Sequence, residues 1–320
     1  MEIQDLEVLK AVSVWRQAGY QVSLATVVQT WGSAPRPPGS LLALRDDGLV
    51  LGSVSGGCIE DNLIARVREQ GMPANPEWVK YGVTREQALN FGLPCGGILE
   101  LVLEPVRDFR WILDVLQRTS MHELVRRTLH LSSGTMQLET GTHSQQLVFD
   151  GEQLAMTFGP KMRLLVIGAG QLSKLVAQMA QPLGFEVLMC DPREEYTGTW
   201  QTAWGNHLAG MPDDVVVQIA PDVHTAIVAL THDPKLDDMA LLEALKSDAF
   251  YVGALGSRAN NKKRRERLAL FDLTQEQIGR LHGPIGLHIG SRVPAEIAIS
   301  ILAEIICVKN GVEPSQKKVD

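Results

Sequence analysis

Apolar residues recur at helical spacing over residues 4–18, and Leu6, Leu9, Val12 and Val14 form the candidate buried face. Residues 22–28 then alternate as a strand does and run into a turn-rich loop at 32–39, GSAPRPPG. A second strand is predicted at 40–45, a turn at Asp46-Asp47-Gly48 and a third strand at 49–54. A helix suits 61–70, and another strand starts at a glycine pair and spans 97–103. Helix and strand signals keep alternating to about residue 160, which predicts an α+β domain over residues 1–160.

The texture changes at Lys161. A short, continuously apolar run at 163–167 is followed by a helical segment reaching 183, a strand at 186–190, further strands at 224–230 and 249–252, a helix at 235–246 between them, and a mostly apolar helix at 294–308. Apolar strands separated by helices predict a parallel sheet covered on both faces, with right-handed crossovers, over residues 161–320. The fold class is therefore α/β, an α+β N-terminal domain followed by a parallel-sheet domain. No solenoid repeat or low-complexity stretch interrupts the pattern, and the polar tail at 314–320 is expected to fray.

Composition narrows the function. In 320 residues, 45% hydrophobic content describes a soluble globular chain, and a net charge of −7 argues against a general nucleic-acid binder. The one dense basic run, Lys262-Lys263-Arg264-Arg265-Glu266-Arg267, reads as a solvated helix face. The N-terminal stretch carries acids and no apolar signal core, and no stretch approaches the ~20 apolar residues that cross a bilayer. Four irregularly spaced cysteines without an export signal point to the reducing cytoplasm. Cys190 and Cys307, in apolar surroundings, are expected to be buried and inert.

Two patterns carry candidate chemistry. The first is Gly168-Ala169-Gly170-Gln171-Leu172-Ser173, which follows a strand and opens a helix. The first glycine permits a tight turn, and Gly170 lets a pyrophosphate approach the backbone at the helix N-terminus. Asp191 follows Gly168 by 23 positions, at the end of the next strand, where an acid reaches a ribose hydroxyl. This predicts a Rossmann-like domain. Ser173 stands where a third glycine is usual, and no hydride-transfer residue is evident, so a scaffold without a dinucleotide competes with an NAD(P) site. Asp191 favours NAD(H) over NADP(H), a preference that Arg193 weakens.

The second pattern is a cysteine set against a glycine pair, twice: Gly56-Gly57-Cys58 with Glu60, and Cys95-Gly96-Gly97 with Glu100. Paired glycines at a strand boundary can form an amide nest for an anion. Arg36 adds a guanidinium fork, and Ser33 and Ser40 add hydroxyl donors. A bulky oxyanionic ligand held by main chain, with thiols close by, is one reading. Backbone dipoles or Arg36 would activate Cys58, and Glu60 and Glu100 would orient the ligand or accept protons. Buried thiols beside chain-turning glycines are the other. Zinc is disfavoured, because there is no CxxC and His122, His130 and His143 are scattered. His232-Asp233 with Asp237-Asp238 offers oxygen ligands to a hard cation, although helix capping suits those acids better. No G-x-S-x-G elbow appears.

Several separated segments, TVVQTWGSAPRPPGS, GSVSGGCIED, GLPCGGILELVLEP, LLVIGAG, ALTHDPKLDD, YVGALGSR and PIGLHIGSRVPAEIAISILAEI, occur in the order found in the XdhC/CoxI family, which the chain resembles over nearly its whole length. The resemblance implies an N-terminal XdhC/CoxI domain and a C-terminal Rossmann-like domain. It implies an accessory chaperone for molybdenum hydroxylases such as xanthine dehydrogenase. Such a protein binds molybdenum cofactor, holds it while a cysteine desulfurase supplies the sulfide that replaces an oxo ligand, and delivers it to the apo-enzyme. A homodimer is expected. Cys58 and Cys95 become candidate metal contacts, with Arg36 toward the pterin phosphate. Gly253, Gly256, Ser257 and Arg258 match the YVGALGSR segment and are expected beside the glycine loop, Ser257 alternatively serving only as a helix cap. Against this binding-and-delivery reading stand an NAD(P)-dependent oxidoreductase built on the glycine loop and a nucleotide-sensing scaffold.

Overall fold

A computed structural model describes residues 3–31, 36–82, 98–142 and 147–312. The chain divides into two compact units, Met1–Pro160 and Lys161–Asp320, each considered by itself.

The first unit runs α1 (Ile3–Gln17), β1 (Val22–Trp31), β2 (Leu41–Arg45), β3 (Val50–Gly52), α2 (Cys58–Gln70), β4 (Glu77–Tyr81), β5 (Ile98–Pro105), α3 (Arg110–Ser120), β6 (Val125–His130), β7 (Met136–Thr140), β8 (Val148–Phe149) and β9 (Gln153–Phe158). An antiparallel sheet is ordered β3-β2-β1-β5-β4, and a second is ordered β7-β6-β9-β8. Central β1 buries seven successive residues, so its expected in–out alternation does not appear as burial. Both of its faces are covered. Ala25 and Val27 pack with Ile59, Leu63 and Val67 of α2, and Val22 and Leu24 pack with α1 and α3.

On α1 the buried face is Val8, Leu9 and Val12, whereas Val14 is 60% exposed and Leu6 is half-buried. The reason is angular, since Val14 lies about 200° around the helix from Val12. The two sheets are linked by a buried ion pair. Arg127 on β6 meets Glu104 on β5 at 2.9 and 2.5 Å, and the guanidinium lies over the Trp111 ring.

The second unit runs β10 (Met162–Ile167), α4 (Gln171–Ala180), β11 (Phe185–Cys190), α5 (Glu194–Thr197), β12 (Asn206–His207), α6 (Pro212–Ile219), β13 (Thr225–Ala229), α7 (Pro234–Ala244), β14 (Tyr251–Ala254), α8 (Arg258–Leu268), α9 (Gln275–Gly279), β15 (Leu281–His282) and α10 (Pro294–Lys309). Its sheet is wholly parallel, ordered β12-β11-β10-β13-β14-β15. Leu165, Ile167, Ile227 and Ala229 face α6 and α7, while Leu164, Val166, Ala226 and Val228 face α4 and α10. Burial on both faces explains the continuous apolar runs, and the fold class is as predicted. The chain leaves β10 toward β11 on one side and later reaches β13 on the other, which puts a topological switch at the carboxyl end of β10.

Candidate functional site

In the first unit the loop between β3 and α2 is organised by one carboxylate. Glu60 is the third residue of α2, and its side chain turns back into the loop. Its Oε1 accepts from the Ser53 hydroxyl at 2.8 Å and from the amides of Val54, Ser55 and Gly56 at 2.9, 2.9 and 3.0 Å. Its Oε2 accepts from the Ser55 hydroxyl and from the Gly57 amide at 2.9 Å. Burial alone would raise the pKa, but the Ser55 hydroxyl and amide and the other donors hold the carboxyl at about 2. Gly56 is needed for its φ of +87°, and nothing lies within 4 Å of a Cβ built on Gly56 or Gly57.

The loop is thus an amide nest whose anion is the chain's own. The expectation that these amides are free for a ligand phosphate is corrected, because Glu60 takes all four. Cys58 is presented at the first residue of α2 with its side chain exposed. Glu100 is also committed within the fold. Buried on β5, it accepts from Trp78 Nε1 at 2.9 Å and pairs with Lys80 at 3.0 Å. Ser40 donates to the carbonyl of Pro37 at 2.8 Å. Arg36 is half-buried, with no hydrogen bond or ion pair to another described residue.

Topology gathers these features. β1 and β3 both run toward the end of the sheet where β2 begins, and β5 starts at Ile98 opposite Trp31. The Arg36 segment after β1, the Cys58 loop after β3 and the entry to β5 therefore belong to the same end of the sheet. Ser33, Cys95, Gly96 and Gly97 lie outside the described residues, as does His143.

In the second unit the candidate loops lie at the carboxyl ends of the parallel strands. Gly168 has φ +108°, and a Cβ there would sit 3.0 to 3.1 Å from Thr231. Gly170 caps α4 at φ −71° with open space where a Cβ would stand. Ser173 is fully buried, as a packing residue at the third position requires. Asp191 is buried and tied to the glycine loop, its Oδ2 accepting from the Ala169 amide at 2.9 Å, and to Arg193 through both oxygens. Burial would raise its pKa, but the Arg193 guanidinium and the backbone donors hold it below the usual carboxylate value.

A buried polar network braces the neighbouring loops. Thr231 donates through its amide and hydroxyl to Asp237, which pairs with Arg264 at 3.0 Å. Arg264 also reaches Asp238, the Leu255 carbonyl and Asn261, and Asn261 donates to the Gly256 carbonyl. Burial raises the pKa of Asp237 against the pull of Thr231 and Arg264. The expected solvated helix face is therefore corrected at Arg264, which is 5% exposed, although Lys262 and Lys263 do face solvent.

The same network answers the cation question. Asp233 caps α7 by accepting from the Lys235 amide, Asp237 and Asp238 are paired with arginines, and no described group of three ligating residues is placed to hold a metal. In the YVGALGSR segment, Gly253 is a packing glycine, because a Cβ there would stand 2.6 Å from Ile285. Ser257 caps α8 through the Asn260 amide, and Arg258 is exposed at the first residue of that helix. Sequence reasoning missed Ser53, Ser55, Thr231, Asn261 and Arg264. The Gly57-to-Glu60 spacing was the one available signal, since a third-position glutamate turns back on a helix start. Cys190 is buried, and burial beside Asp191 pushes its thiol up to about 12, whereas the expected burial of Cys307 is corrected, because that residue on α10 is only partly covered. Among the described residues no helix is long and apolar enough to cross a membrane.

A family model described as the XdhC and CoxI family matches residues 15–82, and one described as the XdhC Rossmann domain matches residues 164–305. The chain is 26% identical over 294 residues to the molybdenum cofactor insertion chaperone PaoD of Escherichia coli (strain K12), covering 91% of this chain and 85% of that protein. It is 26% identical over 324 residues to a protein of Bacillus subtilis (strain 168) named as a probable xanthine dehydrogenase subunit, covering 90% and 93%. A crystal structure described as a xanthine dehydrogenase from Bacillus halodurans shares the fold at a TM-score of 0.78, with 22% identity and coverage of 99% and 98% of the two chains.

Proposed function

The chain belongs to the XdhC and CoxI family, and from that membership we propose that it is a maturation factor that carries molybdenum cofactor to a molybdenum hydroxylase. The observation that carries the reading is likeness, over nine-tenths of the chain, to a protein named as an insertion chaperone for that cofactor. The cargo is bulky and anionic, with a sulfur-rich metal end. Two groups in the first unit suit it. One is the exposed Cys58 thiol, a soft donor fixed in place by the Glu60 clasp. The other is Arg36, a fork for phosphate with no partner among the described residues. Cys95, with Gly96, Gly97 and Ser33, completes the proposed site from the sequence.

In this reading the chain binds and releases and performs no turnover of its own. A cysteine desulfurase supplies the sulfur while the cofactor is held, the apo-hydroxylase receives it, and the working assembly is a homodimer. The test is transfer. Chain loaded with cofactor is mixed with hydroxylase apo-enzyme made without molybdenum, and hydroxylase activity is followed. Activation by loaded wild type is expected, and Cys58→Ala is expected to retain at least about tenfold less molybdenum. No activation above a free-cofactor control would refute delivery, and full retention by both Cys58→Ala and Cys95→Ala would remove the thiols from the site.

A further inference from the structure

The parallel-sheet fold implies a dinucleotide whose pyrophosphate meets the glycine loop and whose ribose diol is read by the acid ending the second strand. In this chain that acid is Asp191, and its environment does not fit the role. A carboxylate has about four lone-pair positions, and here four donors fill them. Oδ1 accepts from the Arg193 amide at 3.1 Å and from Arg193 Nε at 2.8 Å, while Oδ2 accepts from an Arg193 Nη at 2.8 Å and from the Ala169 amide at 2.9 Å. The Asp191 side chain has 0% exposure, so it offers no surface to a hydroxyl group. The guanidinium is itself packed over the Tyr196 ring at 4.2 Å, which holds it in this position. A ribose diol would exchange a bidentate, charge-assisted pair for two neutral donors, and the exchange is unfavourable.

We propose that Arg193 excludes the NAD ribose from this unit by occupying Asp191, and that Asp191 is a positioning residue for the glycine loop. The acid braces Ala169, between the two loop glycines, and Arg193 decides specificity against NAD(H). Nothing here depends on which cargo the first unit carries.

The experiment is a calorimetric titration of the whole chain with NADH, for wild type, Arg193→Gln, and the double variant Arg193→Gln with Asp191→Asn. Wild type is expected to show no saturable binding up to about 1 mM. Arg193→Gln, which cannot form the charged fork, is expected to bind at least about tenfold more tightly, and the added Asp191→Asn to abolish the gain. If Arg193→Gln does not fold, as judged by its thermal melt, Arg193→Ala, which also removes the charged partner of Asp191, replaces it and is expected to gain in the same direction. Wild-type binding below about 100 μM, or a folded Arg193 variant that gains nothing, overturns the proposal. Pterin and molybdenum contents of the same preparations are expected to be unchanged by these substitutions. A loss there would count against placing the cargo in the first unit, whereas the NADH result alone decides this one.

Discussion

Glu60 shows how one residue converts a glycine-rich loop into a fixed surface. Its carboxyl is held at about 2 against an ordinary 4.5, so its contribution is complete above about pH 5 and is lost as pH falls through 4.5 toward 2. Glu60→Gln is therefore expected to lower the urea stability of the first unit by about 2–3 kcal/mol at pH 7. The gap to wild type should close near pH 2–3; an equal gap at pH 3 and pH 7 would show that the charge is not what matters. The same loop displays Cys58, whereas Cys190 is buried with its thiol pushed up to about 12. Peptide mapping after brief iodoacetamide treatment of the native chain is expected to find Cys58 alkylated and Cys190 unmodified until the chain is denatured. Sequence reasoning located Cys58 and Glu60 but misread Glu60. Proximity of an acid to a glycine pair is visible in sequence, but the direction in which its side chain turns is not. Asp191 repeats that lesson, because its position is legible while its saturation by Arg193 depends on a side-chain conformation.

At the scale of elements, the parallel-sheet unit was readable because strands buried on both faces must be continuously apolar, and because a glycine turn must separate β10 from α4. The two loop glycines nevertheless differ in what they require. Gly168 combines φ +108° with a tight approach to Thr231, whereas Gly170 has an ordinary φ and open space. Gly168→Ala is expected to cost about 1–3 kcal/mol and Gly170→Ala, at a helix N-cap with an ordinary φ, less than about 1 kcal/mol, measured as urea stability of the second unit. Equal costs would mean that the turn is not strained. The first unit was less legible. The sheet β7-β6-β9-β8 was read only as generic alternation, because its stabilising partners are far apart in sequence, as in the Arg127–Glu104 pair, and arginines on β6 interrupt its apolar pattern. The buried role of Arg264 was hidden for the same reason, since a charge run looks solvated until its acidic partners on α7 are known.

At the scale of the molecule, two units of different architecture divide the work in the proposed account. The first presents an exposed thiol and an arginine without a partner among the described residues. The second carries a nucleotide-type fold whose diol-reading acid is already occupied. Hydrophobic patterning established the fold class, whereas the cargo came from family resemblance, because a soft donor beside glycines is compatible with several chemistries. Expression in a host that makes molybdenum cofactor, followed by assay of the purified chain for pterin and metal, tests the account most directly. The account predicts pterin and molybdenum in near-equal amounts, both reduced in Cys58→Ala. A chain that purifies empty from such a host and binds NADH tightly would contradict it.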